Sequence, residues 1–183
     1  MPVQPDEPLL RVPMSWEEYL RLPEKPRAEW VDGVALIMNA PPGFDHSIAT
    51  VQLGAVLVSA LPHHYVATEA LLRMPRNRMR LPDLMVTDSR PENDWVSEPP
   101  LMVAEVLSRS TRTEDTIRKS VEYAAMGIGQ YWLLDPVLRT LTVMTNVGGT
   151  WEDLLRLDDD HPEGSVELAR VTLALDLRQL LRA

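Results

Sequence analysis

Apolar and polar positions follow two different periods along the chain, and the changes of period predict a mixture of helices and strands. Residues 45 to 61 carry apolar side chains three and four positions apart, which is the spacing of a helix. An acidic residue opens this segment and Pro62 follows it, as expected at helix limits. The apolar residues with this spacing are Ile48, Val51, Ala55 and Val58.

Two further helices are predicted from their end signals. Ser15 and Glu18 form a capping-box pattern, so a short helix is expected to begin directly after Ser15. A longer helix is predicted over residues 113 to 127, with Thr113 as its N-cap and Gly127 as its stop.

Short apolar runs between turn signals predict strands. An Asp-Gly pair divides residues 28 to 39 into a hairpin, and the runs at 65 to 74 and 79 to 87 predict two strands joined by a turn. Residues 101 to 108, "LMVAEVLS", show almost no alternation, which is typical of a central strand covered on both faces. Another strand, a second hairpin and a strand running into a terminal helix complete the pattern.

This order of elements predicts an α/β fold of the mixed α+β kind, with a mixed central β-sheet flanked by α-helices. A chain of 183 residues suits a single domain, which is expected over residues 14 to 183. Residues 1 to 13 are proline-rich and have no period, so they are expected to be a loose N-terminal arm. The apolar runs are shorter than a membrane span and the first residues do not resemble a signal peptide, so a cytoplasmic location is expected.

Composition narrows the chemistry that the chain can perform. With no cysteine and only four histidines, thiolate chemistry is excluded and a zinc site is disfavoured, so any metal is expected to be a hard, oxygen-bound ion. The formal net charge of −9 argues against a generally basic surface for nucleic acid, although residues 72 to 80 contain a local excess of four arginines.

Two acidic residues occupy positions where a core strand is expected. Asp83 follows Pro82 at the head of "LPDLMVT", where a turn acid at a strand entrance is the simple interpretation. Glu105 lies inside an apolar strand, and a buried carboxylate needs a partner, which is either a cation such as arginine or a metal. Together, two acids on neighbouring strands can converge on one divalent ion such as Mg²⁺.

Lys119 is the candidate cation for this pair. It is one of only two lysines among 18 basic residues, and it lies in the helix that directly follows the Glu105 strand. Helical geometry places Lys119 opposite the apolar stripe that contains Ile117 and Val121. Two interpretations are therefore open: a solvated lysine, or a lysine on the wall of a cleft or of a second packing surface.

Several ordered motifs carry a resemblance to a known family. "MSWEEYLRLPEKPRAEWVDG", "LPDLMVT", "VAEVLSRST" and "EDTIRKSVEYAAMGIGQYWLLDP" together resemble the Uma2 family of endonucleases, also called DUF820, within the PD-(D/E)XK superfamily. The resemblance runs from about residue 14 to about residue 157. It departs from the family pattern at Arg109 and at Gln130, which replace the usual proline and acid.

The resemblance implies a restriction-endonuclease-like core with a Mg²⁺ site, for which Mn²⁺ could substitute. Asp83 and Glu105 match the motif acids, and the backbone carbonyl of Val106 is implied as a further metal ligand. Lys119 matches a catalytic lysine displaced into the helix, while Glu29 and Tyr123 match accessory positions near the site.

The implied activity is metal-dependent hydrolysis of nucleic acid, with DNA favoured over RNA and a homodimer as the expected assembly. His46 also matches a recurrent family position, but a helix cap or surface role is expected for it. Two other functions stay open: a catalytically silent interaction module on the same fold, and a hydrolase of a small phosphorylated ligand.

Overall fold

The protein contains two six-stranded sheets, a separate hairpin and four α-helices within the residues that the computed structural model describes, which are 9–23, 26–38, 41–108 and 114–182. The first sheet has the strand order β1-β3-β2-β6-β5-β8. Its strands are β1 (Leu9–Pro13), β2 (Ala28–Val31), β3 (Val34–Met38), β5 (Leu71–Met74), β6 (Arg78–Arg80) and β8 (Trp95–Val96).

The second sheet is mixed and has the order β12-β11-β10-β9-β7-β4, with β9 and β10 parallel and the other neighbours antiparallel. Its strands are β4 (Tyr65–Thr68), β7 (Leu84–Thr87), β9 (Met102–Val106), β10 (Gln130–Asp135), β11 (Thr140–Val147) and β12 (Thr150–Leu157). The predicted fold class, a mixed sheet flanked by helices, is therefore confirmed.

The remaining elements cover these sheets. They are α1 (Trp16–Tyr19), α2 (Phe44–Ala60), a π-helical turn (Glu114–Lys119) that continues into α3 (Ser120–Met126), the hairpin of β13 (Glu163–Leu168) and β14 (Val171–Asp176), and α4 (Leu177–Leu180). No helix in the described part of the chain is long and apolar enough to cross a membrane.

Strand β9 is the centre of the second sheet, as predicted, and every residue in it is buried. Side chains of a strand point alternately to opposite faces. Met102, Ala104 and Val106 join the large core formed with α2, α4 and the β13–β14 hairpin. Val103 lies on the other face, where it joins a smaller core with α3 and β5, and Glu105 shares that face because it is two positions further along.

Local end signals were predicted correctly. The Ser15 side chain accepts the Glu18 N–H while the Glu18 carboxylate accepts the Ser15 N–H, which is the expected capping box. The hairpin at Asp32 and Gly33 is present, with both residues at positive φ. Gly127 ends α3 in the left-handed conformation, whereas Thr113, the predicted N-cap, lies outside the described residues.

Three predictions about strands were wrong. The segment 65 to 74 forms two strands in different sheets, because Glu69 adopts φ 50° and turns the chain between β4 and β5. The segment 79 to 87 is likewise divided between β6 and β7, where Leu81-Pro-Asp83 carries the chain from one sheet to the other. Near the end of the chain, one predicted strand is a hairpin that turns at Ala169 and Arg170.

The expected loose arm over residues 1 to 13 was wrong for Leu9–Pro13. These residues form β1, which pairs along its whole length with β3 and closes one edge of the first sheet. Residues 1 to 8 lie outside the described residues. Proline-rich sequence did not prevent pairing here, because an edge strand tolerates a residue without an N–H.

Gly129 allows the chain to pass from α3 into β10 at very close range to the loop before β9. A Cβ at this position would lie 2.6 Å from the carbonyl oxygen of Leu101. We expect Gly129→Ala to lower the free energy of unfolding by about 1–3 kcal/mol, since the backbone must shift to admit the methyl group. Chemical denaturation measures this change.

Gly54→Ala is the matched control, because the added Cβ lies 3.4 Å from the Leu84 side chain and alanine favours the helix interior. It should leave stability unchanged or raise it. Equal losses in both variants would contradict a specific contact at Gly129.

Candidate functional site

A buried lysine lies between two buried glutamates at the junction of the two sheets. Lys119 Nζ is 2.9 Å from Glu29 Oε1 and 3.0 Å from Glu105 Oε1. The lysine is 4% exposed and the two glutamates are 1% and 2% exposed. The three residues come from the end of the π-helical turn, from β2 in the first sheet and from β9 in the second.

Glu105 has the partners that a buried carboxylate needs. Besides Lys119, the Tyr123 hydroxyl donates a hydrogen bond of 2.8 Å to Glu105 Oε1. An isolated carboxylate inside a sheet would be strongly unfavourable, but a lysine and a phenol replace its water. Lys119 and Tyr123 are four positions apart, so both project from the same side of the helix.

The helix that carries Lys119 faces the opposite way from the orientation that its apolar stripe suggests. Ile117 and Val121 are 62% and 68% exposed, whereas Lys119 and Tyr123 point inward. The solvated-lysine interpretation is therefore wrong, and the interpretation of Lys119 on an inward wall is supported. The physical reason is that the interior at this point contains two carboxylates, for which an ammonium is a better partner than two aliphatic side chains.

An arginine extends the ionic network. Arg80 is fully buried, and its Nη1 donates to Glu29 Oε2 at 2.7 Å. Its Nε and Nη2 donate to the two carboxylate oxygens of Glu122 at 2.7 and 2.9 Å, which is the strong bidentate geometry. The backbone N–H of Leu81 also donates to Glu29, so the carboxylate is held from three directions.

This network controls the protonation of its members. Burial by itself would raise the pKa of Glu29, but the charges of Lys119 and Arg80 outweigh burial and hold that pKa below its usual value. Burial, followed by the charge of Glu105, raises the pKa of Tyr123 well above its usual value. Glu29 is therefore a stable anion and Tyr123 a stable hydrogen-bond donor at neutral pH.

Asp83 lies beside this network, directly before β7. Its Oδ2 accepts the backbone N–H of Val106 at 2.7 Å and lies 3.2 Å from His46 Nε2. The antiparallel pairing of Leu84 with Ala104 continues toward Asp83 and Glu105, so these two acids stand at the same end of neighbouring strands. The side chain of Asp83 is 13% exposed, so it is more accessible than Glu105.

The structure brings the predicted acids Asp83 and Glu105 to the same end of neighbouring strands, but the sequence did not indicate some of their partners. His46, for which a cap or surface role was expected, is 14% exposed at its side chain and contacts Asp83 instead. Arg80 and Glu122 were not singled out, because nothing in their local sequence distinguishes them from surface charges. The only available signal was that Glu122 shares a helix face with Lys119.

The carboxylates fit a hard divalent cation by their chemistry. Asp83 and Glu105 offer oxygen ligands, and Mg²⁺ commonly binds one or two carboxylates while water and phosphate oxygens complete its shell. In residues 9–23, 26–38, 41–108 and 114–182, no three His, Asp or Glu side chains are arranged to enclose an ion. The residues therefore fit an ion with a partly open shell, and Val106 stays a predicted ligand through its carbonyl.

Three of the four arginines in residues 72 to 80 have partners within the fold, whereas Arg76 is exposed in the turn between β5 and β6. Arg80 is buried, Arg78 pairs with Asp32 and Glu122, and Arg73 lies 3.9 Å from the centre of the Trp16 ring. These three side chains are therefore used inside the fold.

Gln130, one of the two departures from the family pattern, has a structural role. Its amide nitrogen donates to the Glu167 carbonyl at 2.7 Å, and its oxygen accepts the Trp132 indole N–H at 2.9 Å. Arg109, the other departure, lies outside the described residues.

Comparison with known proteins identifies the family. A family model named Uma2 and described as "putative restriction endonuclease" matches residues 16–177, which is most of the chain. This chain belongs to the Uma2 family. No curated protein matches it in sequence.

A solved structure confirms the Uma2 fold. It is a crystal structure of a "putative nuclease belonging to DUF820" from Anabaena variabilis ATCC 29413. The two chains are 21% identical, with a TM-score of 0.75, and the match covers 92% of this chain and 98% of that one. At this identity the likeness establishes the fold alone.

The Glu29 ion pairs give a testable dependence of stability on pH. Glu29→Gln keeps the shape but removes the anion that Lys119 and Arg80 share, leaving Glu105 and Glu122 as their remaining partners, so we expect a loss of about 3–5 kcal/mol near pH 7. Because the folded pKa of Glu29 lies below its usual value of 4.5, the stabilisation is present above that pH and is lost as the pH falls through the folded pKa. Denaturation at pH 7, 5 and 3 should show the gap between wild type and variant narrowing with acid.

Glu163→Gln is the control, since Glu163 pairs with Arg178 on the exposed surface. It should change stability little at any of these pH values. A gap for Glu29→Gln that stays constant from pH 7 to pH 3 would contradict this account.

Proposed function

We propose that this Uma2 protein is a divalent-metal-dependent endonuclease that hydrolyses phosphodiester bonds of DNA. The observation that carries the proposal is the buried Lys119 ammonium between Glu29 and Glu105, at the same end of the strands as Asp83. This combination suits metal-dependent phosphodiester hydrolysis, because carboxylates bind a hard cation and a fixed ammonium stabilises charge on phosphate.

The distribution of charged side chains around the site supports a metal cation near Asp83. Lys119 and Arg80 are paired with Glu29, Glu105 and the partly buried Glu122, whereas the partners of Asp83 are a backbone N–H and an imidazole. Among the described residues, no lysine or arginine pairs with Asp83. Asp83 and Glu105, with the Val106 carbonyl, would hold Mg²⁺ or Mn²⁺, and such an ion lowers the pKa of a bound water and neutralises phosphate charge.

The protein side chains then have distinct tasks. Lys119 would place its ammonium against the attacked phosphate, and Glu29 holds that ammonium in position. The Tyr123 hydroxyl fixes the carboxylate of Glu105 by donating a hydrogen bond to it. The raised pKa of Tyr123 keeps this hydroxyl protonated. The Val106 N–H and His46 hold Asp83 at the head of β7.

A second candidate is a catalytically silent interaction module. The observation that favours it is the use of Arg73, Arg78 and Arg80 within the fold, in a chain of net charge −9. A duplex-binding groove needs exposed basic residues, since phosphate contacts supply most nonspecific affinity. This candidate predicts the same buried network but no metal-dependent turnover.

Nicking of supercoiled plasmid by purified protein with Mg²⁺ or Mn²⁺ tests the proposal. We expect Asp83→Asn and Lys119→Met each to reduce the rate by about 100-fold or more, since each removes a group that acts on the charged phosphate or its cation. Oligonucleotides of DNA and RNA in the same buffers then test the preference for DNA. Because Lys119→Met leaves Glu105 without its ammonium and Glu29 with Arg80 alone, Lys119→Arg is measured beside it as a variant that keeps the charge but displaces it.

Asp159→Asn is the matched control, because Asp159 is an exposed acid paired with Arg139 far along the chain from the site. It should cut at the wild-type rate. If the site variants cut as fast as wild type, the activity belongs to another site or to a contaminant. If pure wild type does not cut with either metal, the interaction module is favoured.

A further inference from the structure

Helix α2 presents a second apolar stripe on the side that faces away from the sheet. The outer stripe consists of Phe44, Ile48, Val51, Ala55 and Val58, which are four, three, four and three positions apart. Phe44, Val51 and Val58 are 79%, 67% and 57% exposed. This is the seven-residue spacing with which one helix packs along another.

The fold does not need the outer stripe for its own core. Ala49, Leu53 and Leu57 form the inner side of α2, and all three are 0% exposed against the second sheet. The sequence pattern that predicted this helix thus came from the exposed residues, which is the reverse of the usual relation between apolar spacing and burial.

The outer stripe lies on a helix without charged side chains from Ser47 to Ala60. A surface helix normally carries lysine, arginine or glutamate on its solvent face, and 25% of this chain is charged. Depletion of charge with retained apolar residues is the composition of the buried centre of a protein interface. Two copies of a chain with net charge −9 repel each other, and this face is one where they can meet without opposing like charges.

We propose that the outer stripe is a homodimer interface in which two copies of α2 pack antiparallel across a twofold axis near Val51. Side-chain size supports this direction. Val51 is the central member of the stripe, so an antiparallel pair matches Phe44 with Val58 and Ile48 with Ala55 of the second copy. A parallel pair would match phenylalanine with phenylalanine and alanine with alanine, leaving a clash and a gap.

The interface extends beyond the helix. A stable dimer buries about 800 Å² on each partner, which is more than one stripe provides. Strand β4 packs beside α2 and is the outer strand of the second sheet, so its outer edge can add to the contact.

Dimerisation through the outer stripe is measured without any catalytic readout, so its test is independent of the test of the proposed nuclease. It also deepens that proposal, because a homodimer supplies two sites for the two strands of a duplex. A 17-residue helix is about 25 Å long, and the two Asp83 sites would lie toward opposite ends of the antiparallel pair.

Sedimentation velocity over a concentration series tests the interface. Wild type should be a dimer, and Val51→Asp should weaken dimerisation by about 100-fold or more, since it buries an unpaired charge at the axis. Val137→Asp is the control, because Val137 is 58% exposed in the turn between β10 and β11. It should remain a dimer, and both variants should keep the circular-dichroism spectrum of the wild-type fold.

Cross-linking tests the direction of packing, since the chain has no cysteine of its own. Val51→Cys should form a disulfide-linked dimer on mild oxidation, whereas Val137→Cys should not. A mixture of Phe44→Cys and Val58→Cys should give the mixed dimer in preference to either self-linked dimer.

Three results would overturn the proposal. They are a monomeric wild type at all concentrations, a dimer that persists in Val51→Asp, and preferential self-linking of Phe44→Cys, which indicates parallel helices.

Discussion

The contact of the Lys119 ammonium with Glu29 and Glu105 is the interaction on which the rest of the structure depends. It joins the first sheet, the second sheet and α3 through one charged group, where an apolar core would join them less specifically. A buried carboxylate is tolerable only with its partner in place, so each of the three elements requires the other two. Arg80 reinforces the junction by linking Glu29 to Glu122 on the same helix as Lys119. The geometry of the candidate site is therefore a direct consequence of how the two sheets are held together.

The same junction explains the unusual surface of the helices. Because α3 turns its polar residues inward to serve the network, Ile117 and Val121 remain outside. Helix α2 also exposes apolar side chains, but for a different reason. Aliphatic residues already fill its inner side, and its outer side has a second apolar stripe. Exposed apolar residues on these two helices thus arise in different ways, from the inward turn of polar residues on α3 and from a second apolar stripe on α2.

Sequence patterns predicted those features that local physics determines. The capping box at Ser15, the Asp-Gly hairpin and the fully buried strand β9 follow from residues close together in the chain. Assignment of β4 and β5 to different sheets was not predictable, because local periodicity describes burial and not which sheet a strand joins. The sequence left the direction of Lys119 open, since the helical stripe indicated solvent while the opposite face suited the wall of a cleft, and the family resemblance favoured the second. The positions of Arg80 and His46 depend on contacts with residues distant in sequence, which local patterns do not indicate.

The order in which the chain is made gives the Lys119 contact a further consequence. Glu29 and Lys119 lie about 90 positions apart, so closing this contact requires a long loop and the docking of α3. Until Lys119 and α3 have been synthesised, the Glu29 carboxylate has no ammonium partner, and no helix covers Glu105 in β9. The candidate site therefore cannot assemble on a chain that lacks residue 119, and its geometry depends on both sheets and α3 being in place together.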